Sequence, residues 1–119
     1  MSDSALFIGW NRPARGREAG AVACFGEGMQ YFGELKKRGE IESFEAFFLE
    51  PHGGDLNGFF LVRAEQANLA RLRYVDEQFQ RWITKAGLSV DGIGVLSAVT
   101  GETLGQGMAV FVEALAGLD

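Results

Sequence analysis

The sequence predicts an α+β fold, a four-stranded antiparallel sheet with helices packed against one face. Three observations predict it. Two aromatic-rich runs, residues 44–49 and 59–64, flank a loop of Pro, paired Gly, Asp and Asn-Gly, so the middle of the chain reads as a hairpin. On either side of that hairpin lies a stretch with apolar residues at helical spacing. Near each end, at 5–10 and 93–99, sits an apolar run of strand length.

The hairpin comes first. A register that opposes Glu45 to Arg63 also sets Ala46 opposite Val62, Phe48 opposite Phe60 and Phe44 opposite Ala64. An opposed ion pair contributes ~0.2–1 kcal/mol, and a slip of one residue would turn Arg63 onto an apolar face. One face then carries Phe44, Ala46, Phe48, Phe60, Val62 and Ala64. The other carries Phe47, Leu49, Phe59 and Leu61, with Glu45 and Arg63 toward one end. A half-solvated antiparallel sheet alternates cleanly between apolar and polar, and this one does not. Helices are expected over one face, and a second copy of the sheet or a bound ligand over the other.

The remaining elements follow in chain order. Residues 5–10 form a strand that Asn11-Arg12-Pro13 ends, because proline lacks a donor and restricts its predecessor. Residues 17–38 form a helix with two apolar rows, Val22, Phe25, Met29, Phe32 and Cys24, Gly28, Tyr31, Leu35. Apolar around most of its circumference, it is expected to touch the sheet on one side and another helix or subunit on the other. Lys36, Lys37 and Arg38 suit its C-terminus, and Gly39 stops it. Residues 66–86 form a second helix with the stripe Leu69, Leu72, Val75, Phe79, Trp82, Ile83, Ala86, ended by Gly87. Residues 93–99 form the last strand. Residues 102–118 form a third helix, with Leu104, Met108, Phe111, Val112 and Leu115 on its apolar side. Gly105 and Gly107 weaken its first turns by ~1 kcal/mol each.

Strand, helix, strand, strand, helix, strand is the order of a ferredoxin-like split βαβ fold. Right-handed crossovers place the third strand between the first and second, with the fourth on the far side of the first. Both crossover helices then share one face. At 119 residues the chain is expected to be a single domain, 1–119, large enough to bury a core.

Composition narrows the function classes. A net charge of −5 argues against nucleic acid and against an anionic membrane surface. Cys24 is the sole cysteine, which excludes an internal disulfide and fits a reducing compartment. The N-terminus lacks a basic signal-peptide region, and no apolar run approaches the ~20 residues of a membrane span. A cytoplasmic soluble protein is expected.

No motif specifies a reaction. Glu50, His52 and Asp55 put two carboxylates around the only imidazole, a set suited to a divalent cation or to acid–base work, or equally to a solvated loop. With one histidine and one cysteine no closed zinc site is expected, and no cofactor. Arg12, Arg15 and Arg17 precede a helix N-terminus, where an anionic ligand would offset their unfavourable placement against the dipole. Arg63 and Glu45 form either an ion pair or an anchor for a small acid. Trp10, Tyr31 and Trp82 either line a cavity or fill a core. Neither lone Gly-x-Gly extends to a dinucleotide fingerprint, and no P-loop, Ser elbow or paired-His motif occurs.

The element order, the length and the two-faced apolar sheet resemble the dimeric α+β barrel superfamily, which includes antibiotic-biosynthesis monooxygenases, muconolactone isomerases and YCII-like proteins. Pro51-His52-Gly53-Gly54 ahead of a Gly-Phe-Phe strand is similar to the small YCII-like domains. The resemblance implies sheets stacked into a homodimer and, as in many members, a cavity between sheet and helices. It carries over no catalytic residue. The expected function is a self-associating domain that binds a small apolar or acidic molecule. The alternative is a cofactor-independent monooxygenase or isomerase acting on an aromatic substrate in the cavity.

Overall fold

The structure, a computed structural model, describes residues 2–118. Its elements run β1 (Ser4–Trp10), α1 (Glu18–Lys37), β2 (Ser43–Phe48), β3 (Gly58–Arg63), α2 (Gln66–Tyr74), α3 (Glu77–Ser89), β4 (Gly94–Val99) and α4 (Gly101–Ala116). The sheet order is β2-β3-β1-β4 with every neighbouring pair antiparallel, which is the ferredoxin-like topology.

The hairpin register differs from the expected one by two residues. Phe44 faces Val62, Ala46 faces Phe60, Glu45 faces Leu61, and Arg63 faces Ser43. Glu45 and Arg63 are therefore not an opposed pair; the Arg63 Nη1 instead reaches Thr100 Oγ1 at 3.5 Å. The shift has a physical cause. Ring stacking of Phe47 on Phe59, with centroids 4.6 Å apart, outweighs one half-exposed ion pair. A two-residue shift preserves facing, so the division of side chains between the two faces stands.

The core lies between the sheet and α1, α2 and α3. Leu6, Ile8, Phe60 and Val62 form its floor, and Phe32 is fully buried at its centre. The Phe32 ring lies 5.4 Å from both Phe60 and Trp82. On α1 the buried row is Ala21, Cys24, Gly28, Tyr31, Phe32 and Leu35. Val22 and Met29, expected on an apolar row, are exposed. The helix ends as expected: Gly39 N–H donates to the Lys36 carbonyl and Glu40 N–H to that of Leu35, a Schellman closure.

The expected second helix is two helices. Asp76 accepts from the amides of Gln78 (2.9 Å) and Phe79 (3.3 Å), so it caps α3 and breaks the chain after Val75. Val75 consequently leaves the apolar stripe and is exposed. Gly87 does not end the helix, which continues to Ser89.

Two contacts set how tightly the helices pack. A Cβ on Gly28 would lie 2.6 Å from the Trp82 ring, so α1 and α3 approach as closely as a glycine allows. Trp82 Nε1 donates to the Cys24 carbonyl at 2.9 Å across the same seam. Near the other end of α1, the Tyr31 hydroxyl is buried and, among the described residues, makes no well-formed hydrogen bond, although the Asp76 carboxylate lies near. Burial first, and Asp76 second, push its pKa up.

α4 stands apart. Every one of its residues is exposed. Its start is clamped: Asp3 accepts from the Thr103 amide at 3.1 Å and from its hydroxyl at 3.3 Å, and Thr100 N–H donates to the Asp3 carbonyl at 2.7 Å. Gly101 supplies the positive φ of 60° at the bend, where a Cβ would lie 2.6 Å from Asp3. Opposite the helices, the sheet presents Phe7, Phe47, Phe59 and Leu61, with Phe7 and Phe59 rings 4.9 Å apart, and Leu96 at the β4 edge. No helix among the described residues is long and apolar enough to cross a membrane.

Two stability predictions follow from the seam. Gly28→Ala is expected to cost about 1–3 kcal/mol, read by urea unfolding, because the added methyl overpacks the Trp82 ring. Tyr31→Phe is expected to leave neutral-pH stability unchanged or raise it by up to about 1 kcal/mol, since it removes a desolvated, unpaired hydroxyl. With a raised folded pKa, the contribution of Tyr31 is whole below its ordinary value of 10.0 and drains as pH climbs above it. Thermal melts in alkali should therefore fall less steeply for Tyr31→Phe than for the parent chain.

Candidate functional site

The core face of α1 is uneven in size. Its C-terminal half carries Tyr31, Phe32 and Leu35, which fill the space against the sheet. Its N-terminal half carries Ala21 and Cys24, which do not. The result is an apolar cavity of about 390 Å³ between α1, α3 and the sheet, within the ~300–1,000 Å³ span of small-molecule sites. Ile8, Trp10 and Phe60 form its floor; Ala21, Val22, Cys24 and Phe25 one wall; Trp82 and Ala86 the other. Phe48, Pro13, Val90 and Ile93 complete the lining. Val22 and Phe48 are each more than 70% exposed and stand at the mouth.

One side of the cavity is closed by two loops that run antiparallel. Asn11 N–H donates to the Asp91 carbonyl, Asp91 N–H to that of Arg12, and Ala14 N–H to that of Ser89, each at 2.8 Å. These bonds hold Pro13 against Val90. Trp10 packs edge-on to Phe25 and Phe48, with centroids 6.2 and 6.3 Å away.

Chemically the lining offers one titratable group. The Cys24 thiol points toward the Trp82 carbonyl at 4.0 Å, and burial raises its pKa, with Glu27 adding to the effect. A thiol so placed is protonated at neutral pH and is a poor nucleophile.

The residues singled out from sequence fall in separate places. Arg12 precedes the lining residue Pro13 but is itself exposed, with its guanidinium 3.6 Å from Asp91. Arg15 and Arg17 are exposed ahead of α1, where Glu18 supplies a carboxylate to the first turn and accepts from Gly16 N–H at 3.2 Å. Glu45 and Arg63 lie on the opposite face of the sheet. His52 is in the exposed hairpin loop. Its Nδ1 accepts from Gly54 N–H at 3.2 Å, so the proton sits on Nε2, which donates to the Leu56 carbonyl at 2.7 Å. The ring shapes its own loop. Among the described residues no three His, Cys, Asp or Glu side chains converge as a metal site would require, so Glu50, His52 and Asp55 are not assembled into one.

Of the three aromatics considered, Trp10 and Trp82 line the cavity and Tyr31 belongs to the core. Sequence reasoning missed Val22, Phe48, Pro13, Val90 and Ile93. The signal for the cavity was present in α1 as small residues followed by large ones along a single helical face.

No protein-family model and no curated protein matches this chain. Solved structures do. A dimeric ferredoxin-like protein of unknown function from Jannaschia sp. CCS1 matches at a TM-score of 0.63 and 19% identity, over 82% of this chain and 99% of that one. A dimeric protein of unknown function and ferredoxin-like fold from Bacteroides fragilis matches at 0.58 and 6% identity, over 82% and 97%. The hydroxynitrile lyase of Passiflora edulis matches at 0.57 and 12% identity, over 86% and 97%. At these identities the likeness establishes the ferredoxin-like fold.

The state of Cys24 is testable. Labelling by a polar disulfide reagent at neutral pH is expected to be ~10-fold or more slower in the native chain than in the urea-unfolded chain, and to accelerate as pH rises. Equal native and unfolded rates would show an accessible, ionised thiol.

Proposed function

We propose that this chain is a homodimeric binding protein that holds a small, uncharged, apolar molecule in the cavity between α1, α3 and the sheet. The observation that carries this reading is the cavity itself: about 390 Å³, lined by Trp10, Phe25, Phe60, Trp82 and smaller apolar side chains. A carboxylate taken into such a lining would lose its hydration without gaining a partner. Arg12, next to the lining residue Pro13, already faces Asp91, and Lys85, close enough to act on Cys24, faces Glu27. An uncharged aromatic or branched aliphatic ligand is therefore favoured over an acidic one. Turnover, as in a monooxygenase or isomerase of this architecture, needs an acid, base or redox group at the substrate. The lining offers only a protonated thiol, which favours binding.

Self-association is supported by the sheet face opposite the helices, where the apolar Phe7, Phe47, Phe59 and Leu61 are only partly buried, and by the dimeric state of the two ferredoxin-like proteins of unknown function. Within the dimeric α+β barrel group, the likeness to YCII-like domains and antibiotic-biosynthesis monooxygenases rests on element order and on Pro51–Gly54. A single domain is proposed from the chain length, and a reducing, cytoplasmic compartment from its lone buried Cys24.

Trp10 and Trp82 report on the cavity directly. Titration with naphthalene is expected to change their fluorescence saturably, and 1-naphthoate to bind at least ~10-fold more weakly. Ala86→Leu, which pushes a branched side chain into the cavity beside Trp82, should abolish the naphthalene response while the thermal midpoint holds. Absence of any saturable response, or tighter binding of naphthoate that Arg12→Ala removes, would refute the uncharged-ligand reading. Light scattering on the same samples is expected to give twice the chain mass.

A further inference from the structure

We propose that α4 is an exchanged arm: in the dimer proposed above, on which this inference rests, each α4 lies across the open sheet face of the other copy. Four residues of α4, Leu104, Met108, Phe111 and Leu115, recur at alternating spacings of four and three, and so fall on a single line of the helix. All four are about half exposed or more in the isolated chain. Glu102, Gln106 and Glu113 occupy the other side. A helix with one apolar line and one polar side is built to be buried along that line.

Its own sheet cannot take it. The Asp3 cap on Thr103 and the bend at Gly101 send α4 outward, and none of its residues is buried. The same chain carries a second apolar surface, the partly buried Phe7, Phe59 and Leu61 face of the sheet, opposite the helices. The two match in length: a 16-residue helix extends about 24 Å, and strands of six or seven residues about 20–24 Å. A two-fold axis that laid each arm on the other copy would cover both kinds of surface twice. A stable interface takes roughly 1,600 Å² in total, or roughly 400 Å² from each of two arms and two sheet faces. Large side chains this exposed along α4 supply that scale.

The charge of the arm selects this occupant over a lipid surface. α4 contains Glu102 and Glu113 and no lysine or arginine, whereas a helix bound to anionic lipid relies on basic residues along its polar side. The two dimeric ferredoxin-like proteins are matched over nearly their whole length but over 82% of this chain. This chain therefore carries a length comparable to α4 beyond what they share with it.

The test uses the full chain in a Cys24→Ala background with two different affinity tags. One version carries Phe111→Cys on the arm and the other Leu61→Cys on the open sheet face. After mixing, subunit exchange and treatment with a short bismaleimide, the expected product is a covalent dimer bearing both tags. A chain carrying both cysteines that cross-links internally at monomer mass would overturn the proposal, as would the absence of a two-tag product. In parallel, Met108→Asp with Phe111→Asp is expected to convert the dimer to a monomer while far-UV circular dichroism and the naphthalene response persist. A doubly charged variant that stays dimeric sinks the arm and leaves a dimer joined by its sheets. A parent chain that is monomeric at every concentration sinks both the arm and the dimer, and leaves the cavity to be judged by the titration alone. Sedimentation of the parent chain with anionic vesicles, lost in the charged variant, would assign the arm to a membrane and overturn the proposal.

Discussion

The seating of Trp82 on Gly28 governs the geometry of the helical layer. One glycine lets the indole lie against the backbone of α1, and the indole N–H is spent on the Cys24 carbonyl one turn earlier. That pair fixes the separation of α1 and α3 at a point midway along both. On the C-terminal side of it, Tyr31, Phe32 and Leu35 fill the gap to the sheet; on the N-terminal side Ala21 and Cys24 leave it open. Core and cavity are consequently two sides of one pivot. A protein interior normally closes its voids, and here the fixed helix spacing keeps the small residues from collapsing onto the floor.

Much of the architecture was legible from periodicity alone. The 2-3-1-4 strand order, the helix over 18–37 and the turn-rich hairpin all follow from local spacing and crossover handedness. What periodicity could not decide was competition between contacts of similar strength. The hairpin register depended on whether a Glu45–Arg63 pair or the Phe47–Phe59 stack prevailed, and the stack did. The break at Asp76 was missed because the stripe from Leu69 to Ala86 reads as continuous, although an aspartate that caps two amides ends one helix and starts another. The cavity was only partly legible. Trp10 and Trp82 were singled out, yet its mouth is formed by Val22 and Phe48, which come together only in three dimensions. Arginines and a histidine draw attention in a sequence because they carry chemistry. Here Arg12 is engaged by Asp91 and His52 by its own loop.

The two sheet faces divide the labour of the molecule. One is sealed by helices, except where the small residues of α1 admit space for a guest. The other is aromatic, with the Phe7, Phe47 and Phe59 rings in a row at spacings of 4.6 to 4.9 Å, and with charge only toward one end. The proposed internal binding and the proposed association are therefore separable by substitution: Ala86 addresses one surface and Leu61 the other, with β1 and β3 as the wall between them.

The first residues of the chain look dispensable and are not. The Ser2 amide and hydroxyl both donate to Glu42, at 2.7 to 3.0 Å, and those bonds hold the Glu42 carboxylate below its ordinary range. Asp3, next along, caps α4. Two adjacent N-terminal residues thus staple the entry to β2 and aim the last helix. The bond from the Thr103 amide to the Asp3 carboxylate joins residues a hundred positions apart. The staple is also acid-sensitive. A carboxylate with a lowered pKa keeps its bonds above the usual glutamate range and gives them up as pH falls through its shifted value, so acid loosens the N-terminal anchor beside the residue that directs α4.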